Sequence, residues 1–292
     1  MQDAAKTTTV NTTVLDAYLD RIKHLPPTPT IMIQLIELFR QPEADADEIV
    51  TLLRRDPALS VEVLRRCNSS FFGSDTPVMD INEAVFRMGF YEVYQITITL
   101  FGMQAMTPKE KVPGFSAEAL QRHSSMAAIA AGALALDVGE SEGIAFTAGL
   151  LHDVGKIVLA LGEREKYVAV MEDCQRTGAS LSEAEKTLFG FNHNEIGARL
   201  LQRWGVPVDV VAPVLSHNDA KPAGEAQRFV VITNLASRLA NYLQKEKSTP
   251  PFMQLPGVKS LMEPLKLREQ QVLVWEDVVR NKVKQQTATA GN

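Results

Sequence analysis

"GLLHDVGKIVLA", residues 149–160, is the stretch on which the reading of this 292-residue chain turns. Its apolar residues recur at helical spacing, yet His152 and Asp153 stand side by side within it, followed by Gly155 and Lys156. Neighbours on a helix point about 100° apart, so the pair cannot face one flat surface, but it can grip something lodged between the two directions. Imidazole and carboxylate both bind first-row ions, and carboxylate also suits Mg²⁺. Two ligands do not hold an ion, so further donors have to come from elsewhere in the chain.

Around that stretch the periodicity is helical almost throughout. Leu15, Tyr18, Leu19 and Ile22 share a face over 14–25, and "LPPTPT" stops that helix. Ile31, Leu35 and Leu38 mark a second helix, and Ile49, Leu52 and Leu53 a third. Asp56 before Pro57 is an N-cap followed by a residue whose φ is already helical, and Asp80 with Glu83 has the spacing of a capping box. Gly89 reads as a turn before a buried helix, although Ile96 to Thr99 would also suit a strand. Thr107 to Ser116 gathers two prolines, charges and a glycine and is the best boundary between subdomains. After it the spacing predicts helices over 116–136, 139–162, 163–176, 180–188, 192–204, 208–216 and 225–244, with Ser180 and Glu183 as a second capping box. "KSTPPFMQLPG" reads as a linker, 266–283 as a terminal helix and "QQTATAGN" as a disordered tail. The fold class is all-α in two lobes, 14–106 and 116–245, with 246–292 outside them.

Composition narrows the function classes. Apolar residues make up 45% and charged residues 22%, with a net charge of −5, so no global attraction draws the chain to a phosphate backbone and nucleic acid is not the expected partner. Cys67 and Cys174 have neither the number nor the spacing of a disulfide framework or zinc knuckle, which suggests core residues in a reducing compartment. No basic segment precedes an apolar one at the N-terminus, and no run is read as reaching the about 18 apolar residues of a membrane span. The expectation is a cytoplasmic protein without a membrane partner.

Four of the five histidines, His123, His152, His193 and His217, fall in the second half, and His24 stands apart. His123 shares a helix face with Leu120, Ala127, Ala130 and Leu134, and small residues beside both His123 and His152 would let their helices approach until the rings meet. Two buried, hydrogen-bonded core histidines would show the same pattern. Lys156 is spaced to pair with Asp153, a blander role than neutralising a phosphate. Arg54, Arg55, Arg65 and Arg66 fit a solvated face better than an anion site. Trp204 and Pro207 read as a packed helix end.

Several motifs together resemble one known family. "AGLLHDVGK" preceded by His123, then "HNEIGARLLQRWGVP" and "VLSHND", is similar to the HD superfamily of metal-dependent phosphohydrolases in its HD-related output domain (HDOD) branch. In the first half "LPPTPT", "RRDPALSVEVLRRCNSSFFG" and "INEAVFRMGF" resemble that branch's Leu-Pro, Asp-Pro and Asn-Ser signatures. The match spans about 22–242 and is specific because separate motifs occur in order.

The resemblance implies a metal quartet of which His123, His152 and Asp153 match three members. The fourth, an aspartate after an alanine, should fall in "VVITNLASRLAN", where Ser237 follows Ala236. A neutral hydroxyl is a poor substitute for a carboxylate, so the metal site reads as vestigial. His217 is followed by Asn218 where a histidine pair would serve a second metal, and His193 and His217 are taken as ligand-binding. The implied role is a non-enzymatic bacterial signal-transduction module that binds a partner protein or small ligand, with two-component or cyclic-dinucleotide regulators as the implied partners. No cofactor is expected. The alternative is a residual phosphohydrolase acting on a nucleotide or cyclic dinucleotide, with Mn, Fe, Mg or Zn at the site, Lys156 on the phosphate and Asp219 replacing the lost aspartate.

Overall fold

Side-chain caps start the helices close to where the sequence places them. In this computed structural model, which describes residues 12–22, 30–41, 46–69, 77–105, 112–219, 226–245 and 250–290, the first six helices are α1 (Thr12–Arg21), α2 (Thr30–Arg40), α3 (Ala46–Arg54), α4 (Pro57–Cys67), α5 (Ile81–Met88) and α6 (Phe90–Ala105). His24, most of "LPPTPT" and part of the expected boundary at 107–116 lie outside the described residues. Asp56 accepts from the N–H groups of Ala58 and Leu59 at 2.9 and 3.1 Å, with Pro57 at the first helical position. Asp80 caps α5 from its own side chain, while Glu83 pairs with Arg87 at 2.6 Å instead of completing the box. Gly89, with φ of 83°, ends α5. In α6 the buried residues Val93, Tyr94, Thr97 and Ile98 repeat with a helical period, and the Thr97 hydroxyl donates to Val93 O at 2.8 Å. Of the two readings of Ile96 to Thr99, helix is therefore the one realised.

The second lobe consists of α7 (Ala117–Val138), α8 (Glu142–Leu151), α9 (Val154–Gly162), α10 (Arg164–Thr177), α11 (Leu181–Phe189), α12 (His193–Arg203), α13 (Val208–Ser216) and α14 (Gln227–Leu243). Ser180 with Glu183 and Asn192 with Glu195 form complete capping boxes at α11 and α12. The single helix expected over 139–162 is corrected to two. It breaks at His152 and Asp153, whose backbone ends α8 and opens α9. The physical reason is local: His152 Nδ1 donates at 2.7 Å to Gly149 O, the carbonyl that a continuous helix reserves for Asp153 N–H.

Glycines set two close helix crossings that frame this break. A Cβ on Gly149 would lie 2.8 Å from Ala127 O on α7, and one on Gly155 would lie 1.8 Å from His193 O at the start of α12. α7 and α12 are thereby drawn onto the two sides of the His–Asp turn. Residues 142–162 do have the length and composition of a membrane span, contrary to the reading from sequence, but 89% of that window is buried in this fold.

From Pro250 onward the described chain packs on the core. After a 3₁₀ turn at Phe252–Gln254 come α15 (Val258–Met262) and α16 (Glu269–Ala290), and Phe252, Val258, Leu261, Trp275 and Val279 are buried. α16 lies on α7, where Trp275 Nε1 donates to Asp137 at 2.7 Å, and reaches α6 through Lys282 and Glu92 at 2.6 Å. Its backbone is helical through the polar "QQTATA" to Ala290. α1 packs on the second lobe, with Arg199 of α12 gripping Asp16 by two bonds of 2.8 and 2.6 Å. Cys67 and Trp204 are buried, whereas Cys174 is half-buried. Arg65 and Arg66 pair with Glu62, in line with a solvated face.

Candidate metal and ligand site

Five elements deliver one side chain or pair each to a common point. His123 comes from the middle of α7, His152 and Asp153 from the α8–α9 break, His193 from the first residue of α12, His217 from the C-cap of α13 and Ser237 from α14. All six are at most 9% exposed. His123 and His152 meet as expected, with their Nε2 atoms 3.1 Å apart. Asp153 Oδ2 lies 3.3 Å from His152 Nε2, 3.7 Å from His123 Nε2 and 2.6 Å from Lys156 Nζ, so the Asp153–Lys156 pair forms. Its other oxygen, Oδ1, lies 3.5 Å from His193 Nε2 and 3.7 Å from His217 Nε2. Ser237 Oγ is 3.3 Å from His123 Nε2, the place the family's fourth ligand would take.

The electrostatics follow from burial around one carboxylate. Burial, reinforced by His152, lowers the His123 pKa to about 3. Burial likewise holds His217 well below the ordinary imidazole range. Burial opposes the Asp153 carboxylate, but His152 and the Lys156 ammonium outweigh it and keep its pKa well below the usual carboxylate range.

These donors fit a metal ion. His123, His152 and Asp153 form one group whose ligand atoms lie within 4.8 Å of one another, and Asp153, His193 and His217 form a second. The two share Asp153. Asp153 Oδ1, His193 Nε2 and His123 Nδ1 are buried without a hydrogen-bond partner, which buried polar atoms rarely tolerate. Four imidazoles and one carboxylate favour a borderline ion such as Zn, Fe or Mn over Mg. A cavity of about 1200 Å³ opens above the cluster; His123, Asp153, His193, His217 and Ser237 line it, and His152 lies behind.

The sequence reading gave His193 and His217 to a ligand rather than to the metal group, and the structure brings them to Asp153. Asp219 lines the cavity and belongs to neither donor group found among the described residues. Asn218 lines the cavity and donates to Asn194 Oδ1 at 3.3 Å. One residue escaped notice altogether: Glu185 of α11 is fully buried, and its Oε2 accepts from His193 N–H at 2.8 Å and from His193 Nδ1 at 2.5 Å. In the sequence it looks like Glu183 two positions earlier, and no local signal separates them.

Comparison with known proteins gives the same answer as the motifs. The model of the HDOD domain family matches residues 25–220. Among solved structures, an HDOD domain protein of unknown function from Geobacter sulfurreducens superposes with a TM-score of 0.74 at 22% identity, covering 95% of this chain and 96% of that one. A proposed signal transduction protein from Marinobacter aquaeolei gives 0.75 at 22% identity, over 98% of this chain and 67% of that one. A proposed phosphohydrolase from Shewanella amazonensis gives 0.72 at 23% identity, over 94% and 96%. The chain spans only 50% and 20% of the length of the curated relatives it matches. With its all-α architecture, its ordered motifs and more than half its length matched, the chain belongs to the HDOD family.

Proposed function

We propose that this protein is a signal-transduction module that binds a small ligand in the cavity above the His–Asp cluster without hydrolysing it. The observation that carries this reading is the Ser237 hydroxyl 3.3 Å from His123 Nε2, where metal-dependent hydrolysis calls for a carboxylate. The one carboxylate at the centre, Asp153, already has Oδ2 on Lys156 at 2.6 Å, so little anionic charge is left to hold two ions and a hydroxide. The cavity is ample for a nucleotide or cyclic dinucleotide. The family resemblance supports an output to a separate two-component or cyclic-dinucleotide regulator in a bacterial cytoplasm.

A second reading, residual phosphohydrolase, is favoured by the two donor groups sharing Asp153, since paired ions flanking one carboxylate suit phosphoryl chemistry. One experiment separates them. The protein, loaded in turn with Mn²⁺, Fe²⁺ and Zn²⁺, is screened against nucleotides and cyclic dinucleotides for both thermal shift and hydrolysis. A ligand that raises Tm and is recovered intact is the expected result. Turnover that disappears in His152→Ala would establish the enzyme instead.

A further inference from the structure

The two donor groups that meet at Asp153 are not equivalent. Around His123 and His152 the inward-facing atoms have polar partners: the two Nε2 atoms are 3.1 Å apart, Ser237 Oγ is 3.3 Å from His123 Nε2, and Lys156 Nζ lies 2.6 Å from Asp153 Oδ2, which leaves only His123 Nδ1 unpartnered there. On the other side no such partner reaches Asp153 Oδ1. His217 Nδ1 lies 3.0 Å from Val214 O and His193 Nδ1 lies 2.5 Å from Glu185 Oε2. A carbonyl and a carboxylate only accept, so both Nδ1 atoms carry their protons and both Nε2 atoms turn inward. There they face Asp153 Oδ1 at 3.5 and 3.7 Å, close to the about 3.4 Å edge of a tetrahedron of ligands around an ion with bonds near 2.1 Å. Asp153 Oδ1 and His193 Nε2 are both buried and unpartnered. All three residues of this side line the cavity, whereas His152 does not.

We propose that Glu185 is a positioning residue that makes His193 a metal ligand, so that this chain binds a single divalent ion at Asp153, His193 and His217 and none between His123 and His152. Glu185 holds the imidazole by its Nδ1–H and holds the start of α12 by His193 N–H, which fixes both the tautomer and the ring plane. It also places a second acidic side chain of the buried cluster behind His193. The carboxylate missing at Ser237 and the carboxylate present at Glu185 thus shift the ion to the same side. Glu185 does not line the cavity, so it acts on the ion only through His193.

This inference rests on the ligand-binding reading of the pocket but fails separately from it. Co²⁺ is the probe, because its visible bands report ligand number and geometry. The wild-type chain is expected to bind one equivalent, Glu185→Gln to bind about 10- to 100-fold more weakly with altered bands, and His217→Ala to bind none. Two equivalents in the wild type, none at all, or a Glu185→Gln affinity equal to wild type would overturn the inference and leave the non-hydrolytic reading standing. Hydrolysis by the Co²⁺-loaded protein would overturn that reading, with stoichiometry and the Glu185 effect still deciding this one. Should Glu185→Gln fail to fold, imidazole ¹⁵N spectra of the metal-free wild type decide. A His193 proton on Nδ1 is expected, and one on Nε2 refutes the assignment.

Discussion

Ser237 Oγ and His123 Nε2 lie 3.3 Å apart across the α7–α14 contact, so a hydroxyl occupies the corner of the cluster where the superfamily resemblance places a carboxylate. Ser237→Asp is therefore expected to add a second ion near His123 and His152, because the other donors are already held in place. Titrating Mn²⁺ into both proteins by calorimetry, with Tm followed in parallel, checks this. A variant whose Tm falls and does not respond to Mn²⁺ would show an unpaired buried carboxylate instead.

His152→Ala is expected to destabilise the chain by about 1–3 kcal/mol even without metal, since it removes the partner of Gly149 O and one of the two partners of His123 Nε2 inside the core. Urea melts of the metal-free proteins measure it. An unchanged midpoint would mean that the helix break at Asp153 does not depend on the His152 ring.

Stability is expected to fall as the pH drops from 6.5 toward 3. His123, with a folded pKa of about 3, and His217, also depressed, stay neutral in the fold while the unfolded chain takes up protons below 6.5. Each contributes a slope of up to about 1.4 kcal/mol per pH unit over that window. Asp153, depressed for the opposite sign of charge, adds a further loss only below 3.8. Thermal melts between pH 7 and 4 test the first part, and His217→Gln should flatten the slope.

Gly155→Ala should be among the most damaging small substitutions. The new methyl would stand 1.8 Å from His193 O and 2.9 Å from Gly197 N, both backbone atoms that cannot move aside without separating α9 from α12. A cost at or above the about 1–3 kcal/mol of an overpacked core is expected, together with loss of Co²⁺ binding as His193 leaves Asp153. Denaturant melts and Co²⁺ titration on the same variant would show both effects or neither.

How much of this was legible in the chain itself varies by residue. Asp56 before Pro57, Ser180 with Glu183 and the apolar spacing of α7 specify helices locally, because a cap or a helix face involves residues at most four apart. The same short range made the Asp153–Lys156 pair readable. The break at His152 was not, since the 139–162 run is apolar enough to continue and only the ring bond to Gly149 O interrupts it.

The sequence by itself determined an all-helical chain, the order of its motifs and a serine at position 237, each of which is a property of residue type and local spacing. Only the tertiary structure decided that His193 and His217 join Asp153, that α16 packs on the core and that Glu185 stands behind His193. The reason is physical: these relationships depend on how helices separated by tens of residues cross, and the crossings are set by backbone contact at Gly149 and Gly155. A glutamate buried by such a crossing carries the same letter as one left in water.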